Sequence, residues 1–264
     1  MPRFAANVSM MFGELPVAER FAAARKAGFQ AVEYLAPYAD PVAEVRRWID
    51  DAGVEMILLN TLPGDAEAGE RGLAAVPGRE ADFREHFEQA LAYATGLGAG
   101  MIHVMAGLVP EGADAKESEA TFVANLRRAA PEAARHDVAL LLEPLNTVDM
   151  PGYLHTRCEE TRRIIEAAGQ PNVRLQYDFY HRQVMEGSLA PNLSRHFDLV
   201  GHIQFSSLPG RHEPQHGEVN MPFLFDVVDS LGYDGWIGCE YSPKAGTLEG
   251  LSWGHAWGLG GGGT

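Results

Sequence analysis

The chain has 264 residues, 46% hydrophobic and 22% charged, the balance of a soluble globular protein long enough to bury a sizeable core as one large domain or two small ones. The 36 acidic against 21 basic residues give a formal net charge of −15, which argues against a general nucleic-acid or anionic-membrane partner, because both need a positive face. No apolar run approaches the roughly 20 residues of a membrane span, the N-terminus lacks the apolar core of a signal peptide, and two cysteines are too few for a disulfide framework, so a cytoplasmic protein is expected.

In chain order, residues 4–12 read as a first strand and 16–28 as an amphipathic helix closing on Gly28. Residues 31–35 are a second strand, Pro41 opens a helix that Gly53 closes, and 54–60 form a third strand rich in Val, Ile and Leu. Residues 63–80 then break the rhythm with a polar, Gly-rich excursion where a short loop is expected, and long loops in compact domains are usually functional. A helix over 81–97, a strand over 101–105 and a helix over 117–135 follow. From there, strands over 140–143, 173–178, 200–204 and 236–240 alternate with helices over 159–168, about 183–196, 221–231 and near 248–257. No composition break separates the pairs, so residues 1–257 read as one domain, with 258–264 a disordered Gly-rich tail.

The last four strands share a feature. Each is an apolar run that ends on an oxygen donor: Glu143, Asp178, Gln204 and Glu240. Each is separated from the next by enough chain for one strand, one helix and two loops, the spacing of a single (β/α)8 TIM barrel, a fold that keeps its chemistry at the strand ends. Three carboxylates and an amide oxygen on one point would form a hard, oxygen-only cation site, favouring Mg²⁺ or Mn²⁺ over Zn²⁺. Singly, each acid is as well read as a strand-end cap; four in succession argue for the site. His181 follows Asp178 by three residues, and Arg211 lies in the loop after Gln204, where a guanidinium can grip a substrate carboxylate with two hydrogen bonds. His103, Glu33 and Asn60 are weaker candidates for the same mouth. Glu70 and Arg71 could belong to a lid, although a local ion pair is the plainer reading. Cys239, inside the last strand, reads as a packing residue rather than a reactive thiol.

The motifs together resemble one family. Phe4-Ala5-Ala6-Asn7-Val8-Ser9-Met10, Gly69-Glu70-Arg71-Gly72, Pro77-Gly78-Arg79-Glu80, Leu142-Glu143-Pro144, Gln176-Tyr177-Asp178, Gly201-His202-Ile203-Gln204 and Gly238-Cys239-Glu240-Tyr241 are similar to those of the hydroxypyruvate isomerase family of xylose-isomerase-like barrels, which also contains 2-oxotetronate isomerases. The resemblance implies an α/β barrel with a divalent ion held by Glu143, Asp178, Gln204 and Glu240. It implies that Glu143 and Glu240 are the proton-transfer pair and that His181 and Arg211 contact a small anionic keto-acid substrate. The chain departs from the family at Ala66, Phe205-Ser206-Ser207, Gln215-His216 and Ser242, which bears on which acid the pocket accepts.

The expected reaction moves one proton between adjacent carbons of hydroxypyruvate or 2-oxotetronate through an enediolate, with positive charge on the oxygens and a carboxylate near each carbon. A ketose 3-epimerase would use the same machinery on a longer substrate. A non-catalytic sugar-acid-binding barrel would need the pocket without the paired carboxylates. An endonuclease of the same superfamily would need a His-rich zinc cluster and a basic groove. A homo-oligomer is compatible with the composition.

Overall fold

The computed structural model describes residues 1–261. Eight parallel strands close into a barrel in sequence order: β1 (Arg3–Asn7), β2 (Ala31–Glu33), β3 (Glu55–Asn60), β4 (Met101–His103), β5 (Ala139–Leu142), β6 (Val173–Asp178), β7 (Val200–Phe205) and β8 (Trp236–Cys239). Closure is the β1–β8 pairing, with Phe4 opposite Ile237 and Ala6 opposite Cys239. Helices α1 (Val17–Lys26), α2 (Val42–Ala52), α3 (Glu80–Leu97), α4 (Ala115–Ala134), α5 (Cys158–Ala168), α6 (Phe179–Met185), α7 (Leu189–His196), α8 (Met221–Ser230) and the single turn α9 (Thr247–Gly250) surround it. Among the described residues, no helix is long and apolar enough to cross a membrane.

Period two along the strands divides the core. Outward residues such as Phe4, Val32, Ile102, Leu140 and Ile203 join the helix faces in one large apolar layer. Ala5, Ala31, Ile57, Leu58 and Leu141 form a separate small plug, which two consecutive residues of β3 join because the β2–β3 register skips Ile57. Two positions further along β1, β2 and β5, the inward residues become Asn7, Glu33 and Glu143, and the barrel turns polar towards its C-terminal mouth.

Several expected boundaries move, each for a local reason. The first strand stops at Asn7, because its Oδ1 accepts from the Ser9 amide at 3.1 Å and its carbonyl from Met11 at 2.8 Å, turning the chain. The fourth stops at His103, since the Met105 amide donates to Thr61 Oγ1 at 3.0 Å instead of to a strand. The helix expected near 183–196 is two helices. The first begins at once after β6, where Asp178 Oδ1 caps the Tyr180 amide at 2.9 Å. The break before α7 falls at Gly187 and Ser188, both in the left-handed region. The last helix is one α-helical turn followed by a 3₁₀ stretch, Leu251–Trp257. Part of the expected Gly-rich tail packs onto the barrel. Leu259 is only 3% exposed, its side chain seated against Gly254, and the Gly260 amide donates to the Ala27 carbonyl at 2.9 Å. The rest of that expected tail, residues 262–264, lies outside the described residues.

The excursion over 63–80 packs across the ends of β3 and β4. Gly72, at φ +121°, bridges to Ala106 so tightly that a Cβ there would lie 2.3 Å from the Met105 carbonyl oxygen.

Candidate active site at the barrel mouth

Strand register sets the site. Asp178 pairs with Gln204 across β6 and β7, Gln204 pairs with Gly238 across β7 and β8, and the Glu240 amide donates to the Phe205 carbonyl at 3.1 Å. Glu143 enters from β5, beside β6. Glu143, Asp178 and His181 each place one donor atom within 4.8 Å of the others.

Burial makes this arrangement costly as it stands. Glu143 Oε1 and Asp178 Oδ2 are buried and have no hydrogen-bond partner among the described residues, a condition that carries a desolvation penalty of about 1–3 kcal/mol or more for a charged oxygen. Burial, the Glu240 charge and the Asp178 charge hold the Glu143 carboxyl well above the usual carboxylate range. Burial also raises Asp178, against the lowering effect of Arg211. Glu240 is pushed up to about 7, chiefly by burial, with Arg211 opposing the shift. Orphaned acidic oxygens gathered in one place are what a hard cation would satisfy, so the residues present fit one.

His181 is oriented from behind. The Asn146 amide donates to its Nδ1 at 3.1 Å, so in the neutral ring the proton sits on Nε2. Nε2 faces Asp178 Oδ2 at 3.7 Å and Glu143 Oε1 at 3.9 Å. Burial and the Arg211 charge press its pKa well below the ordinary value, and the ring stays neutral. It therefore meets the site as a hydrogen-bond donor rather than as a metal ligand.

Arg211 stands over the opposite side. Its Nη2 donates to Glu240 Oε2 at 2.6 Å and lies 3.7 Å from Asp178 Oδ2, while its guanidinium stacks over the Tyr180 ring at 5.0 Å. Burial disfavours its charge, but Glu240, Asp178 and Glu143 outweigh that and keep it protonated. Its backbone is in the left-handed region at φ 54°, held by bonds from its amide to the Ser207 carbonyl and from the Ser242 amide to its own carbonyl. Both bonds are of the backbone; the Ser207 side chain adds one more to the same turn, its Oγ accepting from the His212 amide at 3.1 Å.

The match to known proteins runs over this whole arrangement. A family model described as xylose isomerase-like TIM barrel matches residues 21–257. A 2-oxo-tetronate isomerase of Cupriavidus necator is 53% identical over 96% of this chain and 97% of its own length. The chain belongs to the hydroxypyruvate isomerase family of xylose isomerase-like TIM barrels. A hydroxypyruvate isomerase of Escherichia coli is 41% identical, covering 96% of this chain and 98% of that one. A solved structure from Brucella melitensis, described as an AP endonuclease of family 2, superposes with a TM-score of 0.95 at 44% identity over 97% of this chain and 99% of that one.

Against the positions expected for this family, the structure gathers Glu143, Asp178, His181, Arg211 and Glu240 at the mouth. Gln204 lies beside them with its amide already engaged: Nε2 donates to Glu33 at 2.9 Å, and Oε1 accepts from Gln176 Nε2 at 2.5 Å. His103 faces the site, with Nδ1 3.6 Å from Glu143 Oε2, and burial lowers its pKa to about 3. Glu33 is fully buried against Gln204, close enough for its charge to act on both Asp178 and Glu240. The Asn60 carbonyl accepts from the Tyr38 hydroxyl. Glu70 pairs with Arg79 at 2.5 Å, while Arg71 Nη1 bonds the Ala66 and Glu70 carbonyls, so the local ion pair exists but with a different cation. Cys239 is buried and free, and burial raises its thiol well above the ordinary range.

Sequence reading passed over Asn146, Tyr180, Gln176, His202 and the fully buried Arg182, which ties the Pro144 and Thr156 carbonyls to α6. Gln176 and His202 were within reach: each lies two residues before a proposed ligand on the same strand, hence on the same face.

Proposed function

We propose that this protein is an isomerase that interconverts a short 2-keto-3-hydroxy acid with its 2-hydroxy-3-oxo isomer, acting on 2-oxotetronate or hydroxypyruvate. The observation that carries the proposal is the pair of buried carboxylates Glu143 and Glu240 at the barrel mouth, both raised by burial and Glu240 to about 7, gathered with an Nε2–H donor and a guanidinium. The relatives named as isomerases of those two acids support the same reading.

In this mechanism one carboxylate removes the C3 proton, the freed electron pair becomes the C2–C3 double bond, and the C2 carbonyl electrons move to its oxygen. Return of the proton to C2, with transfer of the hydroxyl proton from the C3 oxygen to the C2 oxygen, completes the isomer. Glu143 and Glu240 are the two carboxylates, each acting as base in one direction and acid in the other. His181 donates from Nε2 to a substrate oxygen, and Arg211 turns part of its fork from Glu240 to the substrate carboxylate. Glu143, Asp178, Gln204 and Glu240 would hold a divalent ion, Mg²⁺ or Mn²⁺ by their hard oxygen donors, whose charge lowers the cost of the enediolate. A cytoplasmic location belongs to the same proposal and is supported by two free, buried cysteines.

The test is to assay purified protein, stripped and reloaded with Mg²⁺ or Mn²⁺, against 2-oxotetronate, hydroxypyruvate and a ketohexose in deuterated water. Turnover of a short keto acid with deuterium entering carbon is expected. Epimerisation of the ketohexose alone would replace the isomerase by an epimerase, and absence of any exchange would leave a binding protein.

A further inference from the structure

The mechanism above makes no use of Glu33, although it is a carboxylate fully buried at the centre of the barrel. It ends β2 and accepts three hydrogen bonds. His202 Nε2 lies 2.6 Å from its Oε1, while Gln204 Nε2 at 2.9 Å and Asn7 Nδ2 at 3.0 Å both reach its Oε2. Room for it comes from Gly238 on β8, where a Cβ would stand 2.0 Å from Glu33 Oε1 and 2.8 Å from Gln204 Cγ. Any larger residue at 238 would push these two side chains apart.

The chemistry of the two partners differs in one respect. A carboxylate offers only acceptors, whereas a primary amide can turn either its oxygen or its NH2 to a neighbour. The end of Gln204 that touches Glu33 must therefore be the NH2, and the other end must be the oxygen. Gln176 agrees with that sense, since its Nε2 donates to Gln204 Oε1 at 2.5 Å. Turning the Gln204 amide over would set its oxygen against the carboxylate oxygen of Glu33, a repulsion that no turn of Glu33 relieves, whereas the Gln176 amide could turn with it. His202 and Asn7, donating from two other strands, keep Glu33 in place.

We propose that Glu33 is a positioning residue, whose carboxylate fixes the sense of the Gln204 amide so that the barrel presents an oxygen, and not an NH2, to a divalent cation at the mouth. The inference rests on the cation reading given above and extends it to a residue that does not touch the ion. Partners behind a ligand typically change metal affinity by about 10–100-fold when replaced.

The experiment titrates Mn²⁺ into Glu33→Gln, the swapped pair Glu33→Gln/Gln204→Glu and the parent protein, following free Mn²⁺ by electron paramagnetic resonance. Glu33→Gln keeps the size of the side chain but can donate to Gln204 Oε1, so the fixed sense is lost and the Mn²⁺ Kd should rise about 10–100-fold. The swap restores one amide against one carboxylate and places an oxygen at 204 whichever way it turns, so affinity should return to near the parent value. A purely structural role for Glu33 would lower the melting temperature without this loss and recovery. Parent-like affinity in Glu33→Gln overturns the inference, as does a folded swap that binds as weakly as the single variant. If Glu33→Gln does not fold, the swap decides alone. A parent protein that binds no Mn²⁺ would remove the cation reading and this inference with it, whereas failure confined to the variants removes only the role of Glu33.

Discussion

The lower and upper halves of the barrel interior are built from the same strands to opposite ends. Below, Ala5, Ala31, Ile57, Leu58 and Leu141 make a dry plug with no polar atom to satisfy. Towards the mouth, Asn7, Glu33, Glu143, Gln176, Asp178, His202, Gln204 and Glu240 crowd the interior with buried polar groups, several without a hydrogen-bond partner among the described residues. The lower layer gains from removing apolar surface from water, and the upper layer accepts a desolvation cost that the raised carboxyls reduce by protonation and that a bound ion would offset. Rigidity made below thus holds misfit above in the positions that chemistry requires.

The largest effect should come from removing a proton acceptor in the upper layer. Glu143→Gln or Glu240→Gln should lower kcat by about 10²–10⁴-fold while the melting temperature stays close to the parent value. Since both act on one proton path, the double variant should be little worse than the poorer single one. Near-normal turnover of either metal-loaded single variant would reduce that residue to a ligand.

The converse change lies one layer below. Leu141→Ala, two residues before Glu143 and fully buried, should cost about 2–5 kcal/mol in a denaturant titration yet leave turnover little changed below the unfolding transition. A comparable loss of kcat in the folded variant would show that the two layers are not separable.

Arg211→Lys tests the grip on the substrate. A single ammonium cannot reproduce a guanidinium that meets Glu240, Asp178 and the Tyr180 ring together, so KM should rise and kcat/KM fall, by about tenfold for a loss near 1.4 kcal/mol. Steady-state kinetics equal to the parent's would leave Arg211 a structural partner of Glu240 rather than a substrate contact.

The smallest effect is a pH dependence. In the metal-free protein Glu240 sits at about 7, and burial raises Glu143 and Asp178 as well. A cation needs the ionised forms, so protons compete below about pH 7 and Mn²⁺ affinity should rise as pH rises through that value, by up to about tenfold per unit for each proton released. Titrations in buffers of different ionisation heat would count those protons, and an affinity flat from acid to neutral pH would contradict the raised carboxyls.

Much of the barrel is legible in the sequence, because strand and helix periodicity is local and the strand-end oxygens recur at barrel spacing. Glu143, Asp178 and Glu240 announce themselves as acids ending apolar runs. The break between α6 and α7 was not legible, since it depends on Ser188 taking a left-handed backbone that serine seldom adopts. Leu259 was lost among glycines because what it buries against comes from elsewhere in the chain.

By itself the sequence determined the alternation, the inward-facing sets and the kinds of atoms delivered to the mouth, all of which follow from residue type and a two-residue period. Tertiary structure alone decided how those atoms partner. Arg211 could have faced solvent, but closure of β7 against β8 brings its loop onto Glu240. Glu33 could have lain at the rim, but the register of β1, β2 and β7 sets it among Asn7, His202 and Gln204, residues up to 171 positions away. Hydrogen bonds act over about 3 Å, and only the closed barrel brings positions so distant in the chain within that range.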